Sequence, residues 1–246
     1  MSKKPVRVSR NEAVARLDAM IEHIYRDVRV GIGVEAALET GNAIVINELR
    51  NKQIDGAECY GTIRQSNALF LSLTLAKLFE MPRPRPKEGK ASRYNRSDVA
   101  SIPLMIRLLK QKRCRDALIA RAREWTPHLE FLIDAQAAAC EQAIDNAVQE
   151  YSKLQKSYEG RTAIKKLTDF RNKMLAHNLL GEALKKRPSY NDLFLLMDTA
   201  RDITGHAKLA IMGENLDLTD FEEEFLRASN VFWSRALKKS EDAECQ

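Results

Sequence analysis

The sequence predicts an all-α protein built as an up-and-down helical bundle. Glycine and proline are sparse, at 10 and 7 of 246 residues, and residues of high helix propensity fill most of the chain. Apolar residues recur at three- and four-residue spacing, whereas strand-like alternation is not evident. The short connections favour antiparallel neighbours, and we expect five to nine helices. The length allows a sizeable core, so we expect a single helical domain over residues 1–246.

The N-terminal stretch predicts two helices separated by glycines. Ser9 or Asn11 can cap the first helix. This helix is expected to end where Gly31-Ile32-Gly33 follows, because glycine is unfavourable inside a helix. The second helix is expected over about 34–49, with a kink or division at Gly41-Asn42.

The third predicted helix runs from about Glu58 to Phe79 and is apolar on more than one side, which is typical of a central helix. Its most apolar run is too short to span a bilayer. The N-terminus has basic residues but no apolar core of a signal peptide. We therefore expect a cytoplasmic protein with no membrane partner.

A basic, proline-rich loop at 81–97 is expected after this helix, since three alternating prolines fix an extended backbone and remove amide donors. Clustered cations give the loop a local positive field, and one interleaved tyrosine offers a stacking surface. This combination suits single-stranded RNA, although a solvated loop is an equal alternative. The candidate RNA-binding residues of the loop are Arg83, Arg85, Lys87, Lys90, Arg93, Tyr94 and Arg96.

A short helix is expected after the basic loop. Ser97 or Asp98 can cap it, and it should run toward Lys112 and then continue or restart over Asp116 to Trp125. A very long helix is expected next, from about His128 to Tyr158. Its many alanines permit close packing against neighbouring helices.

Three further helices complete the predicted bundle. Gly160 is expected to separate the long helix from one of about Thr162 to Leu180. The next helix is expected to end at Gly213, and Asp217 or Thr219 should open the last one.

The most distinctive chemistry lies in the helix of about 162–180, in the heptapeptide Arg171-Asn172-Lys173-Met174-Leu175-Ala176-His177. Arginine offers a planar fork of donors that matches a phosphate, and histidine can both give and take a proton near neutrality. On an unbroken α-helix Arg171 and His177 are offset by about 9 Å along the axis and about 120° around it. They can share a phosphate if the arginine reaches along the helix, or if a second copy supplies the complementary group. This geometry favours a two-fold dimer.

The segment 167–178 resembles the Arg-x(4 to 6)-His signature of the HEPN superfamily, and the sequence FRNKMLAHN resembles its AbiU-type abortive-infection branch. The resemblance implies a core of four up-and-down helices. These would be the third helix, the long helix, the motif helix and one of the last two. It also implies a homodimer, because HEPN nucleases build their sites from two motif helices.

The resemblance implies a metal-independent endoribonuclease that acts as the toxin of a phage-defence or toxin–antitoxin system. His177 would act as general base or acid, and Arg171 would neutralise the charge that grows on the phosphorane. Asn172 would hold a phosphate oxygen or the imidazole. Lys173 and Asn178 are further candidate RNA contacts. The expected substrate is single-stranded or loop RNA, such as that of a transfer RNA, and the other expected partners are a second copy and a cognate antitoxin protein.

Two other interpretations stay open. The chain is then either a catalytically silent helical protein that binds RNA, nucleotide or a protein partner, or a purely structural helical dimer. The motif itself also has a structural interpretation, in which Arg171 pairs with Asp169, Glu159 or an acid on another helix, and His177 is a satisfied, partly buried polar residue.

Several other classes of protein lack their signatures. Gly31-Ile32-Gly33 has neither the third glycine nor the lysine and serine of a phosphate loop, and no nucleophile elbow is present. Kinase, dinucleotide-enzyme and serine-hydrolase functions are therefore dropped. The four cysteines lie far apart, and the remaining histidines have no partner at metal-ligand spacing. No metal and no cofactor is expected.

Overall fold

Eight α-helices account for most of the residues that the structure, a computed structural model, describes: 9–49, 57–81, 99–172 and 187–237. No strand occurs in these four ranges, so the all-α prediction is confirmed. The helices are α1 (Arg10–Leu49), α2 (Ala57–Leu78), α3 (Ile102–Leu109), α4 (Lys112–Ala122), α5 (Ile133–Lys156), α6 (Tyr158–Phe170), α7 (Tyr190–Met212) and α8 (Leu218–Ala236).

Helix α1 is continuous, so the predicted break at Gly31-Ile32-Gly33 and the predicted division at Gly41 are wrong. The glycines serve close packing instead. A Cβ added at Gly31 would lie 2.6 Å from the Met197 sulfur of α7, and one at Gly41 would lie 2.7 Å from the Tyr60 ring of α2. Each glycine costs a helix about 1 kcal/mol in intrinsic propensity, but here it lets another helix approach.

The boundary between α5 and α6 lies at Ser157 and not at Gly160 as predicted. Ser157 has an extended backbone, and its hydroxyl accepts a hydrogen bond from the Gly160 amide at 3.0 Å, which caps α6. Gly160 lies inside the first turn of α6. A Cβ at this position would collide with the Leu154 carbonyl oxygen, so only glycine fits there. At its other end α5 begins at Ile133, later than predicted, after a 3₁₀ turn at Glu130–Leu132.

The predicted end of α7 at Gly213 and the predicted start of α8 at Asp217 are confirmed. Ser189 and Asp192 form a capping box at the start of α7. Gly213 ends α7 with φ 74°, a left-handed conformation that favours glycine. The Asp217 side chain accepts the Thr219 amide at 2.8 Å and caps α8. The start of α3 differs, because Ser101 precedes it, whereas the predicted caps Ser97 and Asp98 lie outside the described residues.

Helix α7 lies at the centre of the bundle and packs on α1, α2, α5 and α6. Leu196, Met197 and Ile203 on α7 are fully buried. The expected core helices do meet: α2, α6 and α7 contact one another, and α5 packs on α6 and α7. Helix α1 also belongs to the core, because it packs along α2, α7 and α8. Among the described residues, no helix is long and apolar enough to cross a membrane.

A cluster of carboxylates surrounds Arg201 where α1, α7 and α8 meet. Arg201 forms ion pairs with Asp198, at 3.1 Å, and with Glu222 of α8. Burial and the negative charge of Asp198 raise the pKa of Glu35 on α1 to about 8, against the opposing charge of Arg201. Glu35 therefore keeps its proton at neutral pH.

Replacing Glu35 with glutamine should stabilise the fold at alkaline pH relative to the wild type. Folded Glu35 holds a proton that the unfolded chain releases near pH 4.5. Its favourable contribution is therefore complete below pH 4.5 and is lost as the pH rises through about 8. The loss is at most about 5 kcal/mol. Urea unfolding of both proteins at pH 5, 7 and 8.5 measures the difference, which should grow with pH in favour of Glu35→Gln.

Glu223→Gln is the matched control, since Glu223 is exposed on α8. Its unfolding free energy should follow that of the wild type at all three pH values. Parallel curves for the wild type and Glu35→Gln would contradict the assignment of the shifted proton to Glu35.

Candidate functional site

The C-terminal end of α6 carries Arg171, the first residue of the predicted motif. Helix α6 buries Ala163 and Leu167 against the bundle. Lys166 forms an ion pair with Asp192 at 2.8 Å, and Asp192 lies in the first turn of α7. These contacts hold α6 against α7, so the position of Arg171 is set by the core.

The end of α2 lies next to this end of α6. The Tyr151 hydroxyl on α5 donates a hydrogen bond to the Met81 sulfur at 3.7 Å. Gln155, one turn further along α5, donates to the Tyr151 oxygen at 2.9 Å. Helix α5 therefore fixes the last described residue after α2.

A pocket of about 100 Å³ lies between the two helix ends. Its walls are mostly apolar, and its polar groups are one carboxylate, one hydroxyl and one guanidinium. It is lined by Ala76, Phe79, Glu80, Met81, Ile164, Leu167, Thr168 and Arg171.

Arg171 is largely buried on the wall of this pocket between two acceptors. Its Nη1 lies 3.3 Å from the Glu80 Oε1, and both side chains are 25% exposed. Its Nε and Nη2 lie 3.4 and 3.3 Å from the Asn172 Oδ1, which are long hydrogen bonds. The interpretation in which Arg171 pairs with an acid on another helix therefore matches one of its contacts. An arginine has five donors, so these contacts leave it able to bind a further anion.

The helix changes its winding at the motif. The α-helix ends at Phe170, and the two described residues that follow, Arg171 and Asn172, are π-helical. Such turns occur frequently at functional sites. The offset of about 9 Å and about 120° predicted between Arg171 and His177 assumes an unbroken α-helix. His177 lies outside the described residues, so the offset itself stays a prediction.

The other predicted site residues lie outside the described residues, so their roles stay predictions. They are Lys173, His177, Asn178, Arg83, Arg85, Lys87, Lys90, Arg93, Tyr94 and Arg96. The structure does place the residues from which these segments continue. The basic loop follows Met81, and the rest of the motif follows Asn172. Met81 lines the pocket and Asn172 adjoins Arg171 there, so the two segments continue from one place although they are far apart in the sequence.

Sequence reasoning did not single out Glu80 or Thr168 as site residues. Glu80 ends the apolar run of α2 directly before the basic loop, and this position is its only sequence signal. Thr168 lies one turn before Asn172 on α6, and its hydroxyl donates to the Ile164 carbonyl at 2.8 Å. Their place beside Arg171 depends on how α2 packs on α6.

Comparison with protein families identifies the class of the protein. The model of the HEPN_AbiU2 family, described as AbiU2, matches residues 43–232. The match runs from the C-terminal part of α1 into α8 and includes the pocket and the motif. The chain therefore belongs to the AbiU2 family of the HEPN superfamily, as the resemblance of residues 167–178 predicted. Searches of curated proteins and of solved structures gave no match.

A double-mutant cycle on Arg171→Ala and Glu80→Ala should show a coupling of about 1 kcal/mol in the free energy of unfolding, because both groups are three-quarters buried. Urea unfolding of the wild type, both single variants and the double variant measures it. The Lys112–Asp116 pair is the control, since its side chains are 88% and 55% exposed, and its coupling should be near zero. Equal couplings in the two cycles would contradict a specific Arg171–Glu80 contact.

Proposed function

We propose that this protein is a metal-independent HEPN endoribonuclease that cleaves single-stranded or loop RNA, with transfer RNA as the candidate substrate. We further propose that it acts as the toxin of a phage-defence or toxin–antitoxin system and works in the cytoplasm, where its substrate is. One observation carries the proposal: Arg171 lies on the wall of a pocket from which both predicted RNA-binding segments continue. Membership of the AbiU2 family supports it.

The proposed reaction uses a nucleophile that belongs to the RNA. The 2′-hydroxyl oxygen attacks the adjacent phosphorus, the bond to the 5′-oxygen of the next nucleotide breaks, and the products are a 2′,3′-cyclic phosphate and a 5′-hydroxyl end. His177 moves the proton as general base or acid. Arg171 stabilises the extra negative charge on the phosphorane, and Asn172 holds a phosphate oxygen or the imidazole.

Arg171 is prepared for this role by its two neighbours. Glu80 fixes one edge of the guanidinium through Nη1, and the Asn172 oxygen holds Nε and Nη2 only by long bonds. A phosphate is the stronger acceptor, so it replaces the Asn172 oxygen at Nε and Nη2 while the Glu80 pair remains. The mostly apolar walls lower the local dielectric constant, which strengthens the attraction between guanidinium and phosphate.

The second candidate function is binding of RNA, nucleotide or a protein partner without catalysis. The Arg171–Glu80 ion pair is the observation that favours it, because it gives Arg171 a purely structural reason to be present. The two functions predict different effects of His177→Ala. A ribonuclease should lose its RNA-cleavage activity, whereas a binding protein has no cleavage activity to lose because it needs no proton-transfer group.

We also propose that the active form is a homodimer. Two arguments support this proposal: the offset expected between Arg171 and His177 on a helix, and the way in which HEPN nucleases assemble their sites. In such a dimer two motif helices approach a two-fold axis, and each cleft receives groups from both chains. A cognate antitoxin protein that blocks this cleft is a further proposed partner.

Replacing His177 with alanine should lower the rate of RNA cleavage by roughly 10²–10⁴-fold, the usual contribution of general acid–base catalysis. The measurement is cleavage of an end-labelled transfer RNA in EDTA, followed by analysis of the end groups. EDTA is present because the proposed nucleophile is internal to the RNA. The wild type should give a 2′,3′-cyclic phosphate and a 5′-hydroxyl.

His206→Ala is the matched control, because His206 lies on α7 and does not line the pocket. It should cleave at the wild-type rate. Full cleavage by His177→Ala would exclude the proposed mechanism, and a wild type that binds RNA without cleaving it would establish the binding function instead.

Mixing Arg171→Ala protein with His177→Ala protein should restore part of the activity if each cleft combines groups from two chains. Heterodimers then contain one cleft with both functional groups intact, and statistical mixing limits recovery to a fraction of the wild-type rate. The measurement is the cleavage rate of the mixture after subunit exchange.

The control is each variant exchanged with itself, which should stay inactive. A mixture that is equally inactive would show that both groups act from one chain. A wild type that is monomeric by light scattering at assay concentration and fully active would refute the dimer.

A further inference from the structure

A compact group of four cations lies where α3 ends and α4 begins. Arg107 and Lys110 belong to the end of α3, and Lys112 and Arg113 open α4. We call these four residues the basic corner. The Lys112 side chain is 88% exposed, and Arg107 and Lys110 are also exposed. Lys112 contacts Asp116 at 2.9 Å, and Asp116 lies one turn further along α4.

The cations of the basic corner differ from the arginines further along α4 in their ion pairs with other helices. Arg115, Arg121 and Arg123 each form an ion pair with a carboxylate on α5 or α1. By contrast, Arg107 and Lys110 make no ion pair with any described residue. The arginines further along α4 therefore hold helices together, whereas the corner adds positive charge to the surface.

The corner is held rigidly and offers charge without apolar surface. All residues of α3 except Arg107 are buried, so the core fixes the backbone that carries the corner. No large hydrophobic side chain of α3 or α4 is exposed. A protein interface needs an apolar centre, whereas a nucleic-acid backbone is bound mainly by charge. The corner therefore fits a chain of phosphates better than it fits a protein.

Helix α5 shows where the corner lies relative to the pocket. Arg115 contacts Asp145 at 2.6 Å, and Arg123 contacts Asp134 at 3.0 Å. Helix α4 thus runs antiparallel to α5, and the corner, which precedes Arg115, lies toward the C-terminal end of α5.

The pocket is anchored to the same end of α5. Tyr151, which binds Met81 on the pocket wall, lies about 9 Å beyond Asp145 along the helix axis. The basic corner and the pocket therefore share one end of the bundle, on different helices.

We propose that the basic corner is a second phosphate-binding surface, which holds the backbone of a structured RNA while a phosphodiester of the same molecule occupies the pocket at Arg171. This inference depends on the proposed function, because it takes the pocket to be the RNA-cleavage site. It specifies the substrate class as an RNA long enough to reach both places.

The test is binding of a transfer RNA transcript by Arg107→Gln/Lys110→Gln/Lys112→Gln, measured by fluorescence anisotropy between 50 and 300 mM salt. Loss of three phosphate contacts should lower the slope of log K against log salt by roughly 2, at about 0.7 for each contact on a single strand. Affinity at 0.1 M salt should fall by up to roughly 100-fold. The single variant Lys110→Gln should lower the slope by roughly 0.7.

The matched control is Arg64→Gln/Arg227→Gln/Arg235→Gln, which removes the same charge from exposed positions on α2 and α8. Tyr60 near the start of α2 packs on Trp233 of α8 at 5.1 Å and bonds Asn42, so these residues lie along the C-terminal half of α1. This triple variant should keep most of the slope. Circular dichroism melts check that both triple variants are folded.

The outcomes separate the inference from the proposed function. Equal slopes for the corner variant and the control variant, with wild-type binding intact, would overturn the inference and leave the proposed function standing. A wild type with no affinity for RNA would overturn both. Unchanged RNA binding together with loss of an acidic protein partner would assign the corner to that partner and overturn the inference.

Discussion

The burial of α7 is the constraint on which the rest of the structure depends. Helix α7 packs on α1, α2, α5 and α6. Because α7 is apolar on several sides, those helices must cover it. Their ends are then positioned relative to one another. The Lys166–Asp192 pair sets α6 on α7, and α2 reaches the end of α6 through the same packing. The pocket at Arg171 results from this arrangement.

Charge is divided between two uses. Cations that face another helix are paired with carboxylates, as Lys208 is with Glu22 and Glu214, and Arg115 is with Asp145. Such pairs gain from partial burial because water screens them less. By contrast, Arg107 and Lys110 of the basic corner make no ion pair with any described residue. The modest net charge of +6 therefore understates the local positive field at the basic corner.

Arg171 combines both uses. Its ion pair with Glu80 orders the guanidinium, and its remaining donors face a weakly held amide oxygen beside an apolar pocket. An ordered cation with exchangeable contacts loses little freedom when it binds a phosphate. The Arg171–Glu80 ion pair therefore stabilises the fold and also orders the guanidinium for binding an anion. The π-helical turn at this point lies where the helix passes from the core into the motif.

The sequence by itself determined the helical class, several helix ends and the family. Helix ends such as Ser189, Gly213 and Asp217 depend on local hydrogen bonds and backbone conformation, which neighbouring residues encode. The motif containing Arg171 and Asn172 could likewise be recognised from the sequence, because its residues are close neighbours in the chain. Whether its remaining residues complete a catalytic site is a prediction.

Only the tertiary structure decided what depends on contacts between distant residues. From the sequence, Gly31 and Gly41 predict breaks in α1. In the structure Met197 packs against Gly31 and Tyr60 packs against Gly41. The favourable energy of this packing exceeds the cost of a glycine inside a helix. The partner of Arg171 could not be read from its neighbours, because Glu80 comes from α2 through a helix crossing. The pocket has the same origin, since a cavity depends on which side chains from separate helices meet.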